Sequence, residues 1–440
     1  MIYIWRKIKK SPIVNVEGML PTPLQRRPDM GNNTSKTVIS QCLEWLDIPE
    51  FVCDYLDYRK QKLTLVAFIR LFVEAQLSDR KDPDCIVENL RDSLELQALT
   101  GIESLSASQF SRRLYELPTW LLQYQFETIT RRIQDTLAQT RENSELKKEL
   151  IPLSLIDSSL ITLPDYHGKW AYTSKGKNQV KLHMRLSTQW PDLAIPSKVV
   201  LSTGAVADTE VAVELVTEQG TTYVMDRGYI NYAHFRKWLK AGLFFVARIQ
   251  QRSRTEILEK RELPSEETDL LLDADVLMVV PKQPDQTMRL RLVAFKDDKG
   301  RIYRLVTSRW DLSAREIADI YHARWDIELF FKWMKQYLRL AKLYSHKPQA
   351  VWNQIYMSLI AHALCILVKL YTGTKHGLCT VLKRIRQYMA KSWEKLLDTL
   401  FRKPTKTSKG RQKKPKRGRP RIHPKKQKSQ KIVLANEFNL

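Results

Sequence analysis

The chain has 440 residues, 43% of them hydrophobic, and a formal net charge of +25. Such a chain has room for two or three globular domains and a sizeable core, and its charge asks for a polyanionic partner, nucleic acid or an anionic membrane. Five widely spaced cysteines with no Cys-x-x-Cys pair speak against a disulfide framework or a zinc site and for a reducing compartment.

Residues 1–35 scatter Pro, Gly and Asn without period and read as a loosely ordered arm. The apolar patch in Met1 to Lys10 is too short for a signal segment, and its basic residues follow rather than precede it. A later Met30 leaves the true start open. Residues 36–137 carry helical spacing, with Val66, Ile69, Phe72 and Val73 and then Ile86, Leu90 and Leu94. Gly101 breaks the pattern, and Ser106 or Ser108 caps a further helix bearing Gln109, Arg112 and Arg113. Helix, glycine turn and a helix presenting Gln and Arg fit helix-turn-helix recognition of DNA through Arg112 and Arg113, and fit a plain helical bundle as well. Residues 138–150 are polar and read as a linker.

The rhythm then changes to strands at Leu153–Leu163, Val180–Ser187 and Lys198–Thr203. A helix over Thr209–Glu218 follows, then a short strand Thr222–Met225, a helix capped by Asn231 and ended near Gly242, and a strand Leu243–Ile249. Three strands, helix, strand, helix, strand is the element order of an RNase H-like α/β core. Residues 251–310 add strand-like runs at Val276–Val280, Met288–Phe295 and Ile302–Thr307, a β-rich insertion. From the Ser313/Glu316 capping pair an uninterrupted helix is expected through Leu343. Apolar helices follow over residues 346–401. The run Met357–Leu370, about fourteen residues, is too short to span a bilayer and reads as a buried helix.

Two carboxylates stand out among the strands. Asp157 interrupts Leu-Ile-Asp-Ser-Ser-Leu-Ile, where a charge is costly unless it is paired or metal-bound. Asp226 ends an apolar strand before Arg-Gly-Tyr, a place that also suits a turn residue. At roughly 100° per residue, Tyr321, Arg324, Glu328 and Lys335 share one narrow surface-facing stripe of the late helix, with Lys332 beside it. Ile320, Ala323, Ile327, Phe330, Met334, Leu338 and Ala341 form the opposite, buried face. A carboxylate between cations and a phenol suits a metal-bound phosphate.

The spacing Tyr-x2-Arg-x3-Glu-x6-Lys, together with Ile156-Asp157-Ser158-Ser159 and Met225-Asp226-Arg227-Gly228-Tyr229, resembles the signature of DDE transposases of the insertion sequence 4 family. The likeness covers about residues 150–345. It implies an RNase H-like catalytic domain there, after an all-helical domain at 36–137 that reads terminal repeats and before C-terminal helices at 346–401. It implies an acidic triad of Asp157, Asp226 and Glu328 that holds two Mg²⁺ ions, with Mn²⁺ able to substitute, and Tyr321, Arg324, Lys335 and more weakly Lys332 on DNA phosphates. The reaction implied is cut-and-paste transposition: nicking, hairpin formation and opening, then strand transfer. Trp238, Trp310 and Trp325 are candidates to stack on an extruded base. Double-stranded DNA, as terminal inverted repeats and as target, is the partner implied, with a homodimer on DNA and a bacterial, cytoplasmic, nucleoid-associated location. The alternatives are an RNase H-like nuclease without strand transfer and a non-catalytic transposase-derived DNA-binding protein.

Residues 402–440 are rich in Lys, Arg and Pro and read as a disordered tail. Within it Lys416-Arg417-Gly418-Arg419-Pro420-Arg421 resembles an AT-hook that would place Arg417 and Arg419 in a narrow minor groove. A polybasic tail held by counterion release reads equally well, and membrane binding has no lipid anchor or apolar amphipathic partner to support it.

Overall fold

The structure is a computed structural model that describes residues 36–46, 56–58, 62–142, 151–190, 193–280, 283–340 and 342–402. The arm at 1–35 and the AT-hook-like segment with Arg417 and Arg419 lie outside the described residues.

The described part begins with helices α1 (Val38–Glu44), α2 (Leu65–Leu77), α3 (Pro83–Asp92), α4 (Leu94–Thr100), α5 (Ala107–Glu116) and α6 (Thr119–Glu142). Side-chain caps start most of them. Thr37, Thr64, Asp82 and Ser93 each accept a backbone N–H of the first turn, and Ser106 with Gln109 closes a capping box on α5. Gly101 ends α4 at φ +68°, where glycine alone avoids strain. Helix α6 runs on to Glu142, into the stretch expected to be linker.

Ten strands form one mixed sheet: β1 (Leu153–Leu163), β2 (Tyr172–Ser174), β3 (Lys177–Trp190), β4 (Leu193–Thr203), β5 (Thr222–Met225), β6 (Phe244–Arg248), β7 (Thr255–Lys260), β8 (Leu270–Val280), β9 (Gln283–Lys296) and β10 (Ile302–Thr307). Their order is β2-β3-β1-β5-β6-β10-β9-β8-β7, with β4 also paired to β3. β1, β5 and β6 run parallel, and the remaining pairs are antiparallel. The β-rich stretch therefore continues the sheet through the β6–β10 pair. It also holds β7, an exposed strand that no apolar alternation announces.

Helices α7 (Asp208–Leu215) and α8 (Tyr232–Lys240) cover one face of the sheet through Val211, Leu215, Phe235 and Trp238. Helices α9 (Ala314–Ala323), α10 (Trp325–Tyr337) and α11 (Pro348–Thr372) cover the other, and α12 (Leu378–Tyr388) and α13 (Trp393–Phe401) follow. By length and composition α11 could cross a bilayer, longer than its apolar run suggested, but 89% of its apolar window is buried inside the protein. It packs against α2, α5 and α6, so the first and last helices share one core.

The helix expected from Ser313 through Leu343 is divided. Its capping box forms as expected. At Arg324 the bonding tightens to i→i−3, with Arg324 N–H on Tyr321 C=O and Ile327 N–H on Arg324 C=O. The second half stops at Tyr337, and Arg339 turns into the left-handed region at φ +52°. There its guanidinium meets the Asp79 carboxylate at 2.6 Å. No Pro or Gly marks this stop; a long-range ion pair accompanies it.

Candidate active site

Strand alternation decides which way each acid points. Leu155 and Val224 lie in the core beneath α9–α11, whereas Ile156, Tyr223 and Met225 lie beneath α7 and α8. Asp157 and Asp226, two residues beyond Leu155 and Val224, therefore share the α9–α10 face. Ile156 pairs with Met225 in the parallel β1–β5 ladder, so the two aspartates stand on neighbouring strands at the end of β5.

Arg324, at the joint of α9 and α10, reaches down to this edge. Its guanidinium donates to Asp157 Oδ2 at 3.0 Å and to Glu328 Oε1 at 2.6 Å. The Tyr321 hydroxyl donates to Asp226 Oδ1 at 3.1 Å, and Arg248 of β6 stands 3.6 Å from the same oxygen. Lys335 Nζ donates to Leu160 C=O of β1 at 3.0 Å. A cleft of about 550 Å³ opens beside them, lined by Asp157, Ser158, Ser159, Glu328, Lys332 and Lys335. The structure thus gathers Asp157, Asp226, Glu328, Tyr321, Arg324, Lys332 and Lys335 around one edge of the sheet.

The electrostatics follow from that crowding. Burial pushes the Asp157 carboxyl up to about 6; Ser158 N–H and Arg324 pull it down, and the Asp226 and Glu328 charges add to the rise. Arg324 is raised: burial opposes its charge, but Tyr321, Glu328, Asp157 and Asp226 more than offset that. Tyr321 is raised by burial and by the Asp226 charge, and Lys335 is lowered by burial. Among the described residues no three carboxylate, imidazole or thiol groups converge closely enough to hold a metal ion as placed. The acids are joined instead through Arg324 and Tyr321.

Several expectations are corrected. Tyr321 is buried rather than surface-facing, whereas Glu328 and Lys335 of its stripe line the cleft. Arg113 is buried and paired with Asp57 at 2.5 Å, also donating to Leu56 C=O, so it cannot be presented to DNA. Arg112, its neighbour, is exposed on α5. Trp238 is buried between α8 and the sheet and cannot stack on a base, whereas Trp310 and Trp325 are exposed. Arg248 was not foreseen, since nothing in β6 marks it; only its ladder position beside β5 brings it to Asp226.

Residues 148–364 match a family model described as a transposase DDE domain. A probable transposase for insertion sequence element IS5377 of Geobacillus stearothermophilus is 29% identical over 330 residues, 74% of this chain and 82% of that protein. A putative transposase for insertion sequence element IS4SA of Synechocystis is 27% identical over 62% of this chain and 74% of its own length. Transposase InsG for insertion sequence element IS4 of Escherichia coli is 28% identical over 36% of this chain and 37% of its own. With these relatives and that domain match, the chain is a DDE transposase similar to those of the insertion sequence 4 family.

Proposed function

We propose that this transposase cuts and rejoins DNA at the sheet edge where β1, β5 and α10 meet, with Asp157, Asp226 and Glu328 as its catalytic acids. The observation that carries the reading is the shared face of Asp157 and Asp226 at adjacent strand positions, with Glu328 linked to Asp157 through one guanidinium. The strand order β4-β3-β1-β5-β6, with β1, β5 and β6 parallel, supports an RNase H-like core.

The donor set suits a hard divalent cation: three carboxylates, one of them held above its usual range by burial and like charges. Asp157, Asp226 and Glu328 would hold Mg²⁺ ions, two in our reading, with Mn²⁺ as a substitute. Bound there, the ions supply Lewis acidity at the scissile phosphate. In this reading Arg324, once freed from the carboxylates, turns its planar fork to phosphate oxygens. Lys335 and Lys332 neutralise the strand in the adjoining cleft, and Tyr321 keeps Asp226 oriented through its hydroxyl. Trp310 or Trp325 offers an exposed ring to an extruded base. Water first opens one strand; the freed 3′-OH attacks the other, giving a hairpin that is reopened before strand transfer. We further infer a homodimer on paired terminal repeats, end recognition by the first helices including Arg112, and a cytoplasmic, nucleoid-associated location.

The test is cleavage of a labelled duplex carrying the flanking terminal repeat, with Mg²⁺ or EDTA, read on a denaturing gel beside Asp226→Asn. Mg²⁺-dependent nicking followed by a slow-migrating hairpin, both absent in the variant, is the expected result. Nicking without a hairpin points to a nuclease. Equal binding and no cleavage in either protein leaves only a DNA-binding role.

A further inference from the structure

Behind the acids, on the opposite face of the sheet, lies a second polar cluster that the proposed chemistry does not use. Ser158 follows Asp157 and so points to the α7–α8 face, opposite His183 of β3 in the antiparallel ladder. Asp208, in the first turn of α7, takes up the centre. Its Oδ1 lies 3.3 Å from His183 Nδ1 and 3.5 Å from Lys181 Nζ. His183 is fully buried, and its Nε2 is 2.9 Å from Ser202 Oγ. Lys181 also donates to Val206 C=O at 2.7 Å, which fixes the loop leading into α7.

The side chain of Ser158 lies beside both Asp208 and Tyr229. Tyr229 closes the short turn that begins at Asp226, its N–H on Asp226 C=O at 3.1 Å. Gly228 sits in the same turn. A Cβ there would stand 3.2 Å from Asp208 Oδ2, so the missing side chain is what lets Asp208 approach the turn. One carboxylate therefore lies against the residue after Asp157 and against the turn after Asp226. Within this cluster His183 Nδ1 and Asp208 Oδ1 face each other as an ion-pair contact, and the Tyr229 hydroxyl has Ser158 as its polar neighbour. An apolar filling of the same space would avoid the cost of burying these polar groups. The arrangement is dear as packing and apt as a clamp.

We propose that Asp208, backed by His183 and Lys181, is a positioning residue that sets the spacing of Asp157 and Asp226 from behind the sheet. It touches neither DNA nor the reacting atoms; it grips Ser158 on β1 and the Gly228–Tyr229 turn after β5. The proposal rests on reading Asp157 and Asp226 as the catalytic acids.

Two variants test it, Asp208→Ala and Gly228→Ala, the second crowding the carboxylate against the turn by a few tenths of an ångström without removing any charge. Each is compared with wild type in duplex affinity, in single-turnover cleavage at saturating protein with Mg²⁺, and in crystal structure. Expected are duplex affinities within about twofold, since phosphate contacts are untouched, and cleavage rates lower by about 100-fold for Asp208→Ala, the scale of an ångström-sized misplacement, and by about tenfold for the smaller displacement in Gly228→Ala. In the crystals the 226–229 turn shifts against β1. Glu214→Ala, on the exposed side of α7, keeps the wild-type rate. Cleavage at the wild-type rate in the folded variants, or a turn that superposes on wild type, overturns the proposal. A wild type that binds the duplex and never cleaves it sinks the catalytic reading instead, and the crystal comparison still decides whether Asp208 holds the turn. If Asp208→Ala does not fold, Gly228→Ala decides alone.

Discussion

Arg324→Ala removes the cation that holds the acids together. The guanidinium is 3.0 Å from Asp157 and 2.6 Å from Glu328, and its side chain is 12% exposed against 23% and 35% for the carboxylates. At a charge separation of about 4 Å and an effective dielectric of about 20, each attraction is about 4 kcal/mol. Much of that is returned, because the freed carboxylates regain water and Arg324 no longer has to be desolvated. Removing one partner of a buried pair costs about 3–5 kcal/mol, and the partial exposure of Glu328 moves this site toward about 2–3 kcal/mol. For a chain of this length that is a fall in Tm of about 2–3 °C in EDTA.

Magnesium then separates two explanations of the loss. If the guanidinium stands where a divalent cation binds, the variant has a vacated and strongly anionic site. At a free Mg²⁺ concentration about tenfold above Kd the variant regains about 1.4 kcal/mol. Wild type without DNA regains less, because Arg324 competes. The assay is thermal unfolding by circular dichroism in EDTA and in MgCl₂, with Arg324→Lys as a charge-keeping control. Equal Tm gains in both proteins, or an Arg324→Ala variant as stable as wild type in EDTA, would refute the reasoning.

Asp157→Asn reports the crowding in its pH dependence. With burial as the first cause, the folded carboxyl is pushed up to about 6, against about 3.9 when unfolded. The stability contributed by its proton is complete below pH about 4 and lost as pH rises through 6, so the variant's advantage over wild type grows by about 1.4 kcal/mol from pH 5 to pH 8; urea melts at both pH values measure it, and parallel pH profiles would contradict it. Arg113→Ala leaves the Asp57 carboxylate uncompensated in a site where the two side chains are 6% and 14% exposed. We expect about 3–5 kcal/mol of destabilisation by urea melt with duplex cleavage per folded molecule unchanged; a selective loss of DNA affinity would instead make Arg113 a DNA contact. Lys335→Ala should slow cleavage and lower the slope of log affinity against log salt by about 1; an unchanged slope would remove Lys335 from the phosphate contacts.

Much of this site was legible because it depends on short periods. The run Leu155-Ile156-Asp157 and the run Val224-Met225-Asp226 each place an acid two residues from a buried aliphatic, and the period of two carries both to one face. The period of 3.6 did the same for Arg324, Glu328 and Lys335 and correctly assigned Ile327, Phe330 and Met334 to the core. What periodicity does not contain is the identity of whatever covers a face. On β3 the apolar side of Val180, Leu182, Met184 and Leu186 was plain, but the other side carries Lys181, His183 and Arg185, a pattern that also describes a strand facing water. His183 and Arg185 are buried because α7 and its flanking loops close over them; Arg185 reaches Leu215 C=O and Glu218 from there. The same blindness hid Arg113 beneath Asp57 and Trp238 beneath the sheet, and it let the late helix run past Arg339 to Leu343. In each case a contact distant in sequence outweighs the local preference. Asp157 and Asp226, the proposed catalytic aspartates, could be found early because they interrupt or end an apolar pattern. Asp208 could not, because an acid in the first turn of a helix is already explained by the helix dipole. Only its distances to His183, Lys181 and the Gly228 turn show that it has a second use.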